Sequence, residues 1–66
     1  MDPDVMLKAI QDLLPFVPFS REAREEANDS LDDLRRWLFN GGFEPLWGAC
    51  PEADHVVRSG GYFLVG

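Results

Sequence analysis

From Ser20 onward the apolar residues Ala23, Ala27, Leu31, Leu34 and Leu38 return at helical spacing. At 100° per residue these five gather within an arc of about 80°, while Glu22, Glu25, Glu26, Asp29, Asp32 and Asp33 fill about 120° on the opposite side. The split predicts an amphipathic helix over residues 20–40, with Ser20 as its N-cap and Gly41 as the left-handed residue that closes it. An earlier stripe of Met6, Ile10, Leu13, Leu14 and Val17, with Lys8 and Asp12 facing elsewhere, predicts a first helix over residues 2–14. Asp2 can cap it, Pro3 suits the first helical position, and Pro15 forces its end near Leu14. The connection Pro15-Phe16-Val17-Pro18-Phe19 is too apolar for a mobile linker, so its rings are expected to pack under the first helix. Two amphipathic helices joined this closely predict an antiparallel hairpin.

Beyond residue 40 the pattern changes: all six glycines lie there, and the segment ends on Tyr62-Phe63-Leu64-Val65 before the last glycine. Trp37 sits at the edge of the apolar arc and Phe39 on its polar side, so the tail is expected to fold back over Phe39 through Phe43 or Trp47. Two structures fit residues 51–65. Pro51, Glu52 and Asp54 make a helix start, with Ala53, Val56 and Val57 at helical spacing, Arg58 in the last turn and Gly60 as terminator. Alternatively, Val56-Val57 and residues 62–65 flank Ser59-Gly60-Gly61 as the strands of a small β-hairpin. The helix is preferred. The expected fold is therefore mainly α: one small domain over residues 1–66, a helical hairpin in 1–40 and a Gly- and aromatic-rich capping segment in 41–66.

Charge narrows the function. Twelve acidic residues against six basic ones give a net charge of −6, with no basic cluster to meet phosphate backbones or anionic lipid. Direct nucleic-acid binding is not expected. Met1-Asp2-Pro3-Asp4 lacks the positive start of a signal peptide, and no apolar run reaches the roughly 18 residues of a membrane span. The expectation is a soluble, cytoplasmic protein without a membrane partner. A chain of this length buries only about 60% of the surface it exposes when unfolded. With one cysteine and one histidine it can form neither an internal disulfide nor a four-ligand zinc site of Cys and His. Oligomerisation or docking on a partner is the remaining way to bury more apolar area.

Each candidate chemistry has a simpler reading beside it. Asp29-Ser30-Leu31 resembles the tripeptide that carriers of acyl groups place around the serine bearing their phosphopantetheine arm. Here the serine falls inside the second helix and the glycine that precedes that motif is absent, so Ser30 reads as a small residue at the flank of the helix interface. Cys50, Asp54 and His55 offer metal ligands or a thiolate-imidazole pair, yet either use needs a sheltered pocket that so short a chain has little material to build. Gly60-Gly61 resembles the double-glycine end of leader peptides, but a folded domain precedes it. Residues 62–65 read as a last core strand or as an edge that pairs with another chain. The acidic face reads as a solvated surface or as a phosphate-mimicking stripe.

The expected function is a non-enzymatic interaction module that binds itself, as a homodimer, or another protein, with no cofactor and no metal. Its candidate contact residues are Trp37, Phe39, Phe43, Trp47, Tyr62, Phe63 and Leu64. The alternative is an acidic inhibitor that mimics nucleic acid through Glu22, Glu25, Glu26, Asp29, Asp32 and Asp33. An acyl-carrier-like protein comes third.

Overall fold

A computed structural model describes residues 2–65; Met1 and Gly66, the ends of the expected 1–66 unit, lie outside the described residues. It is mainly helical: α1 (Pro3–Leu13), α2 (Arg21–Phe39) and α3 (Pro51–Ser59), with 3-10 turns at Leu14–Phe16 and Trp47–Ala49. There is no strand among the described residues, so the β-hairpin alternative for 51–65 is overturned. Residues 62–65 pair with no other segment among the described residues, so the reading of them as a last core strand is overturned as well.

The helix ends follow from local chemistry. Asp2 accepts the Asp4 amide at 3.0 Å with Pro3 in the first position of α1. Ser20 Oγ accepts the Ala23 amide at 3.2 Å and starts α2. At the far end of α2 the Gly42 amide returns to the Trp37 carbonyl at 2.9 Å and the Gly41 amide to that of Leu38 at 3.1 Å, with Gly41 at φ +86°. This is the Schellman closure, which favours glycine because φ is positive. Gly42 has a different constraint: a methyl group there would overlap the Trp37 indole. Gly42→Ala is therefore expected to destabilise the protein by at least about 1 kcal/mol through overpacking, and a melting temperature equal to wild type would show that the indole has room to retreat.

The core joins all three helices through Leu7, Ile10, Leu31, Leu34, Cys50, Ala53 and Val57. Ala27 and Ala23 are buried with the α2 stripe as expected, whereas Leu38 is half-buried. The α1 face differs from expectation. Leu7 and Pro3 are buried, Met6, Leu13 and Leu14 only partly so. The reason is that α1 is covered on two sides, by α2 and by α3, which turns its most buried line toward Leu7 and Ile10. The connecting segment is also corrected: Val17 is buried, but Phe16 and Phe19 are exposed, because the chain runs on from α1 through a 3-10 turn at Leu14–Phe16 that brings Val17 inward and leaves the two rings outside.

At nine residues α3 is too short to hold by propensity alone, and side chains from both other helices finish its ends. Cys50, at its N-cap, supplies no side-chain bond; Gln11 Oε1 of α1 accepts the Ala53 amide at 2.9 Å instead. At its last turn Arg35 of α2 donates to the carbonyls of Val57 at 3.2 Å and Val56 at 2.9 Å. Gly60, at φ +78°, then releases the chain into the tail.

Candidate interaction surface

The tail lies along one flank of α2. Asn28 grips it with both ends of its amide, donating to the Phe63 carbonyl at 2.8 Å and accepting the Phe63 amide at 2.7 Å. The Arg35 guanidinium lies 4.7 Å from the Tyr62 ring centroid, and the Tyr62 hydroxyl donates to Asp32 at 3.3 Å. Phe63 packs half-buried against the core, while Leu64 stays 90% exposed. The extended segment thus spends the hydrogen bonds of one residue on a side chain, where an edge strand would spend them on another backbone.

The seven aromatic and aliphatic candidates separate into three places. Trp37 and Phe43 meet edge to face at 5.4 Å, and the Trp37 indole donates to the Phe43 carbonyl at 2.9 Å. Tyr62, Phe63 and Leu64 belong to the tail just described. Phe39 and Trp47 line an open groove of about 390 Å³ with Arg35, Leu38, Glu44, Val57 and Arg58. The expectation that Phe43 or Trp47 covers Phe39 is not met: Phe39 is 91% exposed. The Schellman closure sends the chain from Gly42 against Trp37 and away from the polar side of α2, so no residue returns over Phe39. Full burial of such a ring is worth about 1.5–3 kcal/mol, which remains available to an incoming surface.

Polar groups around this groove are incompletely matched. Arg58 stands over Trp47, its guanidinium carbon 4.6 Å from the ring centroid, with its Nε paired to Asp54. Trp47 Nε1 and Arg35 Nη1 are buried without an acceptor among the described residues, as is Arg24 Nε near the other end of α2. An unmet buried donor costs about 1–3 kcal/mol, so two of these three penalties fall on residues that line one groove.

The acidic face is largely as expected, with Glu22, Glu25, Glu26, Asp29 and Asp33 exposed. Asp32 is the correction: it is half-buried, paired to Arg36 at 2.6 Å and to Tyr62, and so belongs to the tail's mooring more than to a free stripe. Glu25 is partnered by Arg21 at 3.4 Å, an exposed pair worth a few tenths of a kcal/mol.

A second cleft, of about 420 Å³, lies between α1 and residues 46–50, and Asp4, Lys8, Gln11 and Cys50 line it. Asp4 Oδ1 also accepts the Leu46 amide at 2.6 Å and ties that loop to α1. Cys50 is buried, His55 exposed and Asp54 engaged by Arg58; no three His, Cys, Asp or Glu side chains among the described residues are grouped to hold a metal. Ser30 is half-buried in the middle of α2.

Asn28, Gln11 and Arg35 were not singled out by the sequence for these contacts. Asn28 carried a weak signal, a poor helix former inside a helix; Gln11 carried none. No helix among the described residues is long and apolar enough to cross a membrane. No protein-family model matches the chain, and comparison with curated proteins and with solved structures gives no match, so the reading of this surface rests on its own geometry.

Proposed function

We propose that the protein is a non-enzymatic interaction module that acts by binding itself or another protein. The observation that supports this most directly is Phe39, 91% exposed at the edge of a groove whose other apolar walls are Leu38, Trp47 and Val57. Singly exposed apolar residues are ordinary, but one that borders a groove with further apolar walls offers a partner a place to dock. The chain's short core gives a partner further weight, since association adds the burial that one domain of this size lacks.

Sedimentation equilibrium and affinity capture from the native host test this together. Wild-type protein is expected either to exceed its 7.5 kDa monomer mass as concentration rises or to retain a specific partner, and Phe39→Asp is expected to lose that association while keeping its fold. A monomer whose capture profile is unchanged by Phe39→Asp would overturn the reading.

The alternative, mimicry of nucleic acid, draws support from the five exposed carboxylates of α2, which extend over about 16 Å at 1.5 Å per residue. Glu25→Gln with Asp29→Asn separates the two, because it removes two charges and spares Asp32. Partner binding that survives this change favours the module. Binding that is lost, with a flattened salt dependence and an unchanged melting temperature, favours the mimic.

A further inference from the structure

We propose that a second copy of this chain covers the groove, in a two-fold contact in which each copy sets its Phe39 ring into the groove of the other. This rests on the interaction reading and names the partner that the same surface takes.

Self-complementarity carries the first argument. A two-fold contact brings one patch against its own copy, so the patch must hold both a projecting group and a place to receive it. Phe39 is the projecting group, 91% exposed at the rim, and Leu38, Trp47 and Val57 are the receiving wall of the same groove. One exposed ring then fills two grooves, because the axis repeats every contact. A partner of another kind would have to bring an apolar group of its own and would leave Phe39 to be covered separately.

Charge selects the same occupant. Two copies of a chain at −6 repel one another, and they approach most easily where the local charge balances. It does so here: Arg35 and Arg58 are met by Glu44 and by Asp54, which already holds Arg58. Charges farther off are screened beyond a Debye length of about 8–10 Å. A strongly acidic or strongly basic partner gains little from a balanced surface, whereas a copy of that surface finds opposite charges in it. Glu44 is exposed and forms no ion pair among the described residues, and Arg58 is exposed too, so across the axis Arg58 of each copy can face Glu44 of the other.

Size sets the strength. Two such rings bury about 150–250 Å² each, and the walls they cover lose a comparable area. The total falls short of the roughly 1,200–2,000 Å² of stable complexes, so the dimer is a transient one.

The test follows the whole protein by sedimentation equilibrium and NMR from about 10 μM to about 1 mM. A monomer–dimer equilibrium is expected, with no larger species, because a two-fold contact closes on itself. In a mixture of isotope-labelled and unlabelled protein, nuclear Overhauser contacts are expected from the Phe39 ring of one copy to Trp47 and Val57 of the other. Glu44→Arg and Arg58→Glu should each weaken the dimer about tenfold by setting like charges across the axis, and mixing the two variants should restore it, since each brings the charge the other needs. Melting curves check that the variants fold; the cross-copy contacts are read on wild type and decide the matter if Arg58→Glu, which also loses its hold on Asp54, does not. A strict monomer at the highest concentration, cross-copy contacts on another surface, or folded charge variants that associate no better mixed than alone would overturn the proposal. A monomer that captures another protein and loses it on Phe39→Asp would overturn the second copy as occupant and leave the interaction reading standing. That reading fails only when Phe39→Asp leaves assembly and capture unchanged.

Discussion

Leu34→Ala is expected to leave the protein largely unfolded at room temperature. Leu34 is fully buried on α2 within the cluster that also holds Leu7, Ile10 and Ala53 of the other two helices. Truncating such a leucine costs about 2–5 kcal/mol, the lost transfer energy plus the cavity that the surroundings fail to fill. A core in a domain this small supplies about 3–5 kcal/mol in total, so the loss is comparable with the whole. Thermal melting followed by circular dichroism measures it directly. A variant that melts within a few degrees of wild type would mean that the three helices are not held together at this point.

Arg35→Met is expected to produce a different failure, confined at first to α3 and the tail. The methionine keeps most of the apolar stem, but removes the donors to Val56 and Val57 and the cation beside Tyr62. Hydrogen bonds from a charged donor are worth about 1.5–3 kcal/mol, less where water can replace the donor at the open end of a helix. Because α3 is a single short helix with a borrowed cap at each end, its amides should lose protection from hydrogen exchange while the middle of α2 keeps its own. Uniform loss along the chain would show that α3 and α2 unfold as one unit. Unchanged protection in α3 would show that Gln11 and the core contacts suffice.

These two variants mark the border between what was legible in the chain and what was not. Leu34 belongs to a periodic stripe, and burial of such a stripe is written into residue spacing alone. Arg35 belongs to no such stripe, and its place in α2 is silent about α3. The same silence applies to Asn28, whose partner is 35 residues away, and to Gln11, whose partner is 42 residues away. Polar contacts of that range leave no period in the sequence, because each is made once. Leu7 shows a milder version of the problem. The α1 stripe was legible, but its most buried line depended on a third helix that covers a second side.

The sequence by itself determined the first two helices and their ends: the Asp2 and Ser20 caps, the stop at Pro15, the left-handed Gly41 and the acidic and apolar faces of α2. All of these are set by residues within one or two turns of each other, where backbone geometry fixes who can meet whom. Only the tertiary structure decided that residues 51–59 are a helix, since Pro51 and Gly60 allowed it while the caps from Gln11 and Arg35 complete it. It also decided that Phe39 faces solvent beside Trp47 and Arg58, and that Asn28 and not a neighbouring strand receives the tail. Those outcomes depend on the direction the chain takes after Gly42, which is governed by the packing of Trp37 against the loop that follows it.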